Sequence, residues 1–224
     1  MNALRTPHSK DWDDFWNKRR KDILRGPSWS KRRILAVIAQ YLNPGKNALD
    51  AGCGSGFFSK HFCDVGMNVT ALDFSDEALA SASWLSQGKV RTVKGDLRSA
   101  ELAQKLSAEN PYDVIFSDGL LEHFSMDEQL KIMENFCRML KPGGLLITFV
   151  PNRWSPWELI RPFYMPGIEE KPFILSQLIG LNEKAQLRMV NGGGVNALPF
   201  RWSPDQWVGD LFGMLLFTIA RKNG

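Results

Sequence analysis

The chain has 224 residues, 44% of them apolar and 23% charged, with 19 Gly, 12 Pro and 3 Cys. That composition belongs to a folded globular chain and excludes a collagen, a coiled coil or a disordered protein, at a length that needs no disulfide or metal staple. No apolar run approaches the ~18 residues of a membrane-spanning helix, and Met1–Ser9 has no apolar core of the secretory kind.

In chain order, Trp12, Phe15, Trp16 and Ile23 share one helical stripe, which predicts a helix over 10–24 ending at Gly26-Pro27. The formal charge of +4 is concentrated here: residues 18–33 hold eight Lys/Arg against Asp22 alone. Such a cluster is either the solvated face of an N-terminal helix or a seat for a phosphate-rich partner. Ser30 is expected to cap a second helix, with Ile34, Leu35, Val37, Ile38, Tyr41 and Leu42 on its stripe. A short strand over 47–50 then enters a glycine cluster. Gly56–Val65 follows as a helix, Asn68–Leu72 as a strand, and a helix capped by Ser75 runs to Gln87. Lys89–Val93 and Tyr112–Phe116 read as strands separated by a helix over 98–108. A helix over 127–140 leads through a turn, Lys141-Pro142-Gly143-Gly144, into the continuous apolar strand Leu145–Val150.

Strands alternating with helices from 47 to 150 predict an α/β, doubly wound, parallel sheet that binds its ligand beyond the carboxyl ends of the strands. Past Val150 the texture changes. Residues 151–204 hold seven of the twelve prolines, interrupted by Gly192-Gly193-Gly194. This stretch reads as an irregular insertion with a short helix around 173–188, before a closing strand, Met214–Ala220. One domain over 1–224 is expected: a helical cover at 1–29, a ligand-binding core at 30–150, the insertion at 151–204 and the closing segment at 205–224.

Asp50-Ala51-Gly52-Cys53-Gly54-Ser55-Gly56 lies where the first strand turns into a helix. Glycines there allow close backbone approach, and the helix N-terminus offers free N–H groups. Phe57 stands where the dinucleotide fingerprint needs its third glycine, and no Gly-Lys-Ser/Thr follows, so NAD and P-loop readings are disfavoured. Asp73 ends the second strand, where a carboxylate can accept both hydroxyls of a ribose. Asp96, after the third strand, could accept an adenine amine, with Leu97 offering a backbone N–H. Each acid alone could equally be a turn or cap residue. Three at the tips of consecutive parallel strands point to one ligand.

Leu49–Gly56, Leu72-Asp73, Gly95-Asp96-Leu97, Tyr112–Ser117, Leu121-Glu122-His123 and Leu140–Gly144 together resemble class I S-adenosylmethionine-dependent methyltransferases, most closely the small-molecule branch that includes quinone-biosynthesis enzymes. The resemblance implies a Rossmann-like seven-stranded sheet, mostly parallel with an antiparallel last strand. It implies S-adenosylmethionine as cofactor and S-adenosylhomocysteine as product. Gly52, Cys53, Gly54 and Gly56 would cradle the methionine part, with Asp50 near its amino group. Asp73 would bind the ribose, Phe74 would flank the adenine, and Asp96 and Leu97 would read its edge. Ser117 and Asp118 would lie beneath the sulfonium. Gly119 departs from the pattern, in which a larger residue is usual, and leaves extra room.

A sulfonium methyl is already activated, so catalysis is mainly alignment, with a base needed only where the acceptor must lose a proton. His123 is the candidate base, or else a packed residue at the start of a helix. Asn152, Trp154 and Tyr164 follow the fifth strand, where the resemblance places the acceptor. Together with their aromatic neighbours they would line an apolar pocket, or simply pack the insertion. Cys53, Cys63 and Cys137 lack metal-ligand spacing, so no metal is expected, and a reducing, cytoplasmic compartment fits them. The expected partner is a small organic methyl acceptor. The alternatives are an RNA or protein substrate held by the basic segment, and a non-catalytic cofactor-binding regulator. The motifs of amino-nucleobase and cytosine C5 methylation are absent.

Overall fold

The computed structural model describes residues 9–19, 27–164 and 170–224. Helix α1 (Ser9–Arg19) covers the first part of the expected 10–24 helix, and residues 20–26 lie outside the described residues. Helix α2 (Trp29–Ile38) starts two residues earlier than expected. Its cap is Ser28, whose Oγ accepts the Lys31 N–H at 3.2 Å.

Seven strands form one sheet: β1 (Asn47–Ala51), β2 (Asn68–Asp73), β3 (Arg91–Lys94), β4 (Tyr112–Asp118), β5 (Leu140–Pro151), β6 (Leu187–Val195) and β7 (Leu215–Lys222). Their order is β3-β2-β1-β4-β5-β7-β6. The first five pair in parallel, and β7 runs antiparallel to both β5 and β6. This is the expected doubly wound arrangement, with the order reversing between β1 and β4. The helices between strands are α3 (Phe57–Asp64), α4 (Asp76–Leu85), α5 (Ala100–Glu109) and α6 (Met126–Met139). Later come α7 (Trp157–Tyr164), α8 (Leu175–Lys184) and α9 (Asp205–Phe212). No helix among the described residues is long and apolar enough to cross a membrane.

Period-two alternation gives the sheet a core on each face. Leu49, Ile115, Leu146 and Leu216 point to one, Ala48, Phe116, Ile147 and Phe217 to the other. On the second face a row of rings crosses the strands. Phe58 of α3 meets Phe116 at 4.6 Å between centroids, Phe116 meets Phe149 at 6.0 Å, and Phe149 meets Phe217 at 5.5 Å. The row fixes α3, and with it the glycine loop that α3 follows.

Two expectations need correction. Lys141–Gly144 is an irregularity within β5 rather than a turn before it: the register jumps from Tyr112↔Leu140 to Val114↔Leu145, and Gly143 has φ +77°. The triple glycine is not a break in an insertion but the end of edge strand β6, paired with Leu216–Thr218. Glycine ordinarily weakens a strand, and here close approach explains it. A Cβ on Gly194 would lie 1.9 Å from the Gly209 carbonyl oxygen of α9, and one on Gly209 would lie 2.1 Å from the Gly194 oxygen. Two bare backbones therefore touch, and α9 seats on the edge of the sheet. Gly194→Ala must push α9 away, and a loss of about 1–3 kcal/mol is expected, as for other overpacked sites. A urea midpoint equal to wild type would show that this contact does not constrain the fold.

Candidate active site

A cavity of about 560 Å³ opens at the switch point, above the carboxyl ends of β1, β2 and β4. Strand β1 leaves through Asp50 into the glycine loop. The Gly52 and Cys53 N–H groups both donate to the Leu72 carbonyl, at 2.8 and 3.1 Å, which pins the loop to β2. Gly54 and Gly56 have φ of +49° and +74°, where a side chain is strained. Gly52, Cys53 and Gly54 face the cavity. Gly56 does something else: a Cβ there would lie 2.3 Å from Ala82 Cα, so its bareness lets α3 pack on α4.

Among the carboxylates that line this space are three at the ends of β1, β2 and β4: Asp50, Asp73 and Asp118. Asp50 is buried and accepts from Ser59 Oγ at 2.5 Å. Burial pushes its carboxyl up to about 7; the Ser59 hydrogen bonds oppose this, and the charges of Asp118 and Asp73 add to it. Burial pushes Asp118 up to about 6, opposed by Lys31. Burial also raises Asp73, against hydrogen bonds from backbone N–H groups. Of these, Gly54 N donates to Asp73 Oδ2 and Ser75 N to Oδ1, both at 3.0 Å. An ionised carboxylate has about four acceptor positions, so room remains on Asp73 for a ligand's hydroxyls.

Lys31 reaches the same cavity from α2, its Nζ 4.3 Å from the centroid of the Phe57 ring. Burial lowers its pKa and Asp118 opposes that. Sequence reasoning missed this residue by counting it among a basic run. The signal was there: Lys31, Ile34 and Ile38 are spaced i, i+3, i+7 on one helix face.

Phe74 and Leu97 also wall the cavity. The Asn135 side chain donates to the Leu97 carbonyl at 2.8 Å and fixes the loop after β3. Asp96 lies on this wall too, but Arg98 surrounds it, with its backbone N at 2.9 Å, Nε at 3.0 Å and Nη2 at 2.7 Å. Burial raises the Asp96 carboxyl and Arg98 more than offsets it, leaving the group below the usual range. The acid expected to accept an adenine amine is thus held by a neighbour two residues away. Ser117 is fully buried within the sheet, and it is Asp118 that reaches the cavity.

The other end of the cavity is formed by α1 and the short 3-10 helix Leu121–His123. Trp12, Phe15 and Trp16 of α1 project into it, so the apolar stripe read in the sequence covers a cavity. Ser75 Oγ donates to Asp13 Oδ1 at 2.6 Å, tying α1 to the start of α4. His123 lines this end and meets the Trp12 ring edge-on, 4.9 Å between centroids. Gln129 of α6 donates to the Leu121 and Phe124 carbonyls, both at 3.0 Å, which holds His123 in place.

Of the residues expected to face the acceptor, Asn152 and Trp154 do not line the cavity. Asn152 is fully buried and donates to the Leu211 and Gly213 carbonyls at 3.2 and 2.9 Å, joining β5 to α9. Trp154 is 61% exposed on the outside. The side chain of Tyr164 lies outside the described residues. Trp157 and Glu158 line the cavity instead.

Residues 49–148 match the family model described as a methyltransferase domain. A ubiquinone biosynthesis O-methyltransferase of Xanthomonas campestris pv. campestris (strain B100) is 33% identical over 123 residues, 54% of this chain and 49% of that protein. A demethylmenaquinone methyltransferase of Renibacterium salmoninarum is 27% identical over 193 residues, 85% of this chain and 76% of that one. The magnesium protoporphyrin IX methyltransferase from Synechocystis PCC 6803, solved with bound SAH, superposes with TM-score 0.69 at 15% identity, over 96% of this chain and 98% of that chain. The chain spans about half the length of the ubiquinone-type relative. The strand order and the antiparallel β7 are those of the class I S-adenosylmethionine-dependent methyltransferase fold. The likeness to the methyltransferase-domain family is carried by residues 49–148.

Because Asp50 binds a proton until about pH 7 and Asp118 until about pH 6, a cationic ligand must displace protons from them at lower pH. Affinity for S-adenosylmethionine should therefore rise with pH and level off above about 7, falling about tenfold between pH 8 and pH 6. Calorimetric titration across that range checks it, and a flat profile would contradict the role given to these acids.

Proposed function

We propose that this protein transfers the methyl group of S-adenosylmethionine to a small organic acceptor bound between α1 and the Leu121–His123 turn. The observation that carries the reading is the meeting of Asp50, Asp73 and Asp118 on one cavity behind the glycine loop. A cavity with clustered acids and apolar walls favours a ligand that is cationic at one end and aromatic at the other. Bound there, S-adenosylmethionine supplies an activated methyl on a sulfonium.

In this reading Asp50 and Asp118 hold the positive charges, and Lys31 faces the carboxylate of the methionine part. Asp73 accepts the ribose hydroxyls and Phe74 flanks the base. Trp12, Phe15 and Trp16 exclude water and leave an apolar acceptor space, which suits the alignment that methyl transfer requires. The names of the ubiquinone and menaquinone relatives support a ring-bearing acceptor. The basic segment gives less support to an RNA substrate. Lys31 faces the cavity, and Arg33 is committed to Asp205, 3.1 Å away, and to the Leu198 carbonyl at 3.0 Å. The three cysteines are free thiols, which suits a reducing compartment.

Transfer of labelled methyl to compounds in a metabolite extract is the expected outcome of incubation with purified protein. Label appearing only in RNA or protein fractions would overturn the small-molecule reading. Asp73→Ala should weaken cofactor binding by one to two orders of magnitude, through loss of charge-assisted hydrogen bonds of about 1.5–3 kcal/mol. Calorimetry showing unchanged affinity would remove the ribose role.

A further inference from the structure

Glu122, His123 and Glu170 converge at the acceptor end of the cavity and all three line it. One ligand atom from each, two carboxylate oxygens and an imidazole nitrogen, lie within 4.8 Å of one another. This is not a solvated acidic patch: Glu122 is 1% exposed and His123 6%, with Glu170 partly buried. The convergence is built by the chain. Gln129 holds the turn that carries Glu122 and His123. The Lys171 N–H donates to the Glu122 carbonyl at 2.9 Å, and the Phe173 N–H donates to the Pro151 carbonyl at 2.9 Å. These bonds draw Glu170 from the proline-rich stretch to the turn. Gly119 gives the Glu122 carboxylate its place, since a Cβ there would already lie 3.4 Å from Oε1. The room that Gly119 leaves thus adjoins a carboxylate.

We infer that Glu122, His123 and Glu170 form a divalent-cation site that receives an oxygen of the acceptor. Oxygen and nitrogen ligands of a first-row metal stand about 2.0–2.2 Å from it, so three donors this close can share one ion with small side-chain adjustments. One imidazole with two carboxylates suits Mn²⁺ or Zn²⁺ better than Ca²⁺. Three protein ligands leave positions open, which is the arrangement of a working metal rather than a structural one. An acceptor hydroxyl at an open position loses its proton to water more readily, as metal-held oxygens do. Its oxygen then forms a bond to the methyl carbon while the carbon–sulfur bond breaks and leaves its electron pair on sulfur; nothing is oxidised or reduced. His123 then acts as a ligand and not as a base. The acceptor role rests on the methyl-transfer reading; the cation site itself does not.

The test uses full-length protein stripped with a chelator and titrated with Mn²⁺ by electron paramagnetic resonance and with Zn²⁺ by calorimetry, without cofactor. One ion per chain is expected. Glu170→Gln, His123→Ala and Glu122→Gln should each weaken it by about tenfold or more. Glu170 is partly exposed, so its variant should keep the wild-type melting temperature and report on binding alone. A parallel titration with S-adenosylmethionine separates the two readings. Cofactor binding without uptake of either metal overturns the cation site and leaves the methyl-transfer reading standing. Metal uptake without cofactor binding does the reverse. Uptake that survives all three substitutions also overturns the assignment.

Discussion

Negative charge confined under a glycine loop is the constraint on which this architecture turns. Parallel strands end on the same side of a sheet, so residues at the ends of β1, β2 and β4 are brought together whatever they are. Here they include Asp50, next to last in β1, and the terminal Asp73 and Asp118. Burial disfavours their charged forms, and at Asp50 the charges of Asp118 and Asp73 add to it, so Asp50 and Asp118 hold protons above the usual carboxylate range. Lys31 relieves part of this at Asp118. A ligand bearing positive charge relieves the rest, and the cavity is poised for one before it arrives.

Such a site works only if the acids cannot relax away from each other. The fold supplies that rigidity from both faces. The ring row from Phe58 to Phe217 holds α3 and the glycine loop on one side. On the other, α6 holds two loops by side-chain amides, Asn135 on Leu97 and Gln129 on Leu121 and Phe124. One helix therefore holds the loop after β3 and the turn after β4, at two ends of the same cavity. Further out, the contact between Gly194 and Gly209 seats α9, and Asn152 ties α9 to β5.

The cofactor end was legible in the sequence because its residues follow strands directly. Asp50, Asp73 and the glycine loop are set by local spacing, and once the alternation of strands and helices is read, their meeting follows from topology. Legibility failed where a tertiary contact overrode local character. Three consecutive glycines read as a break, yet they are a strand, because α9 needs bare backbone to pack on. Lys31 read as surface charge, although its spacing with Ile34 and Ile38 placed it on the inner face. The pairing of Asp96 with Arg98, two residues on, was not read either.

The acceptor end escaped for a different reason. Its wall draws on α1, the turn after β4, α7 and the stretch around Glu170, segments far apart in the chain. No spacing rule joins Glu170 to Glu122; what joins them is a backbone hydrogen bond from Lys171. The strand ends that bind the cofactor are common to any sheet of this topology. The acceptor is met by loops, which vary freely without disturbing the sheet. A chain built this way can keep one cofactor chemistry and change its acceptor through a few loop residues. In the proposed reading the choice of acceptor is therefore to be sought in Glu122, His123, Glu170 and the α1 rings, and not in the acids at the strand ends.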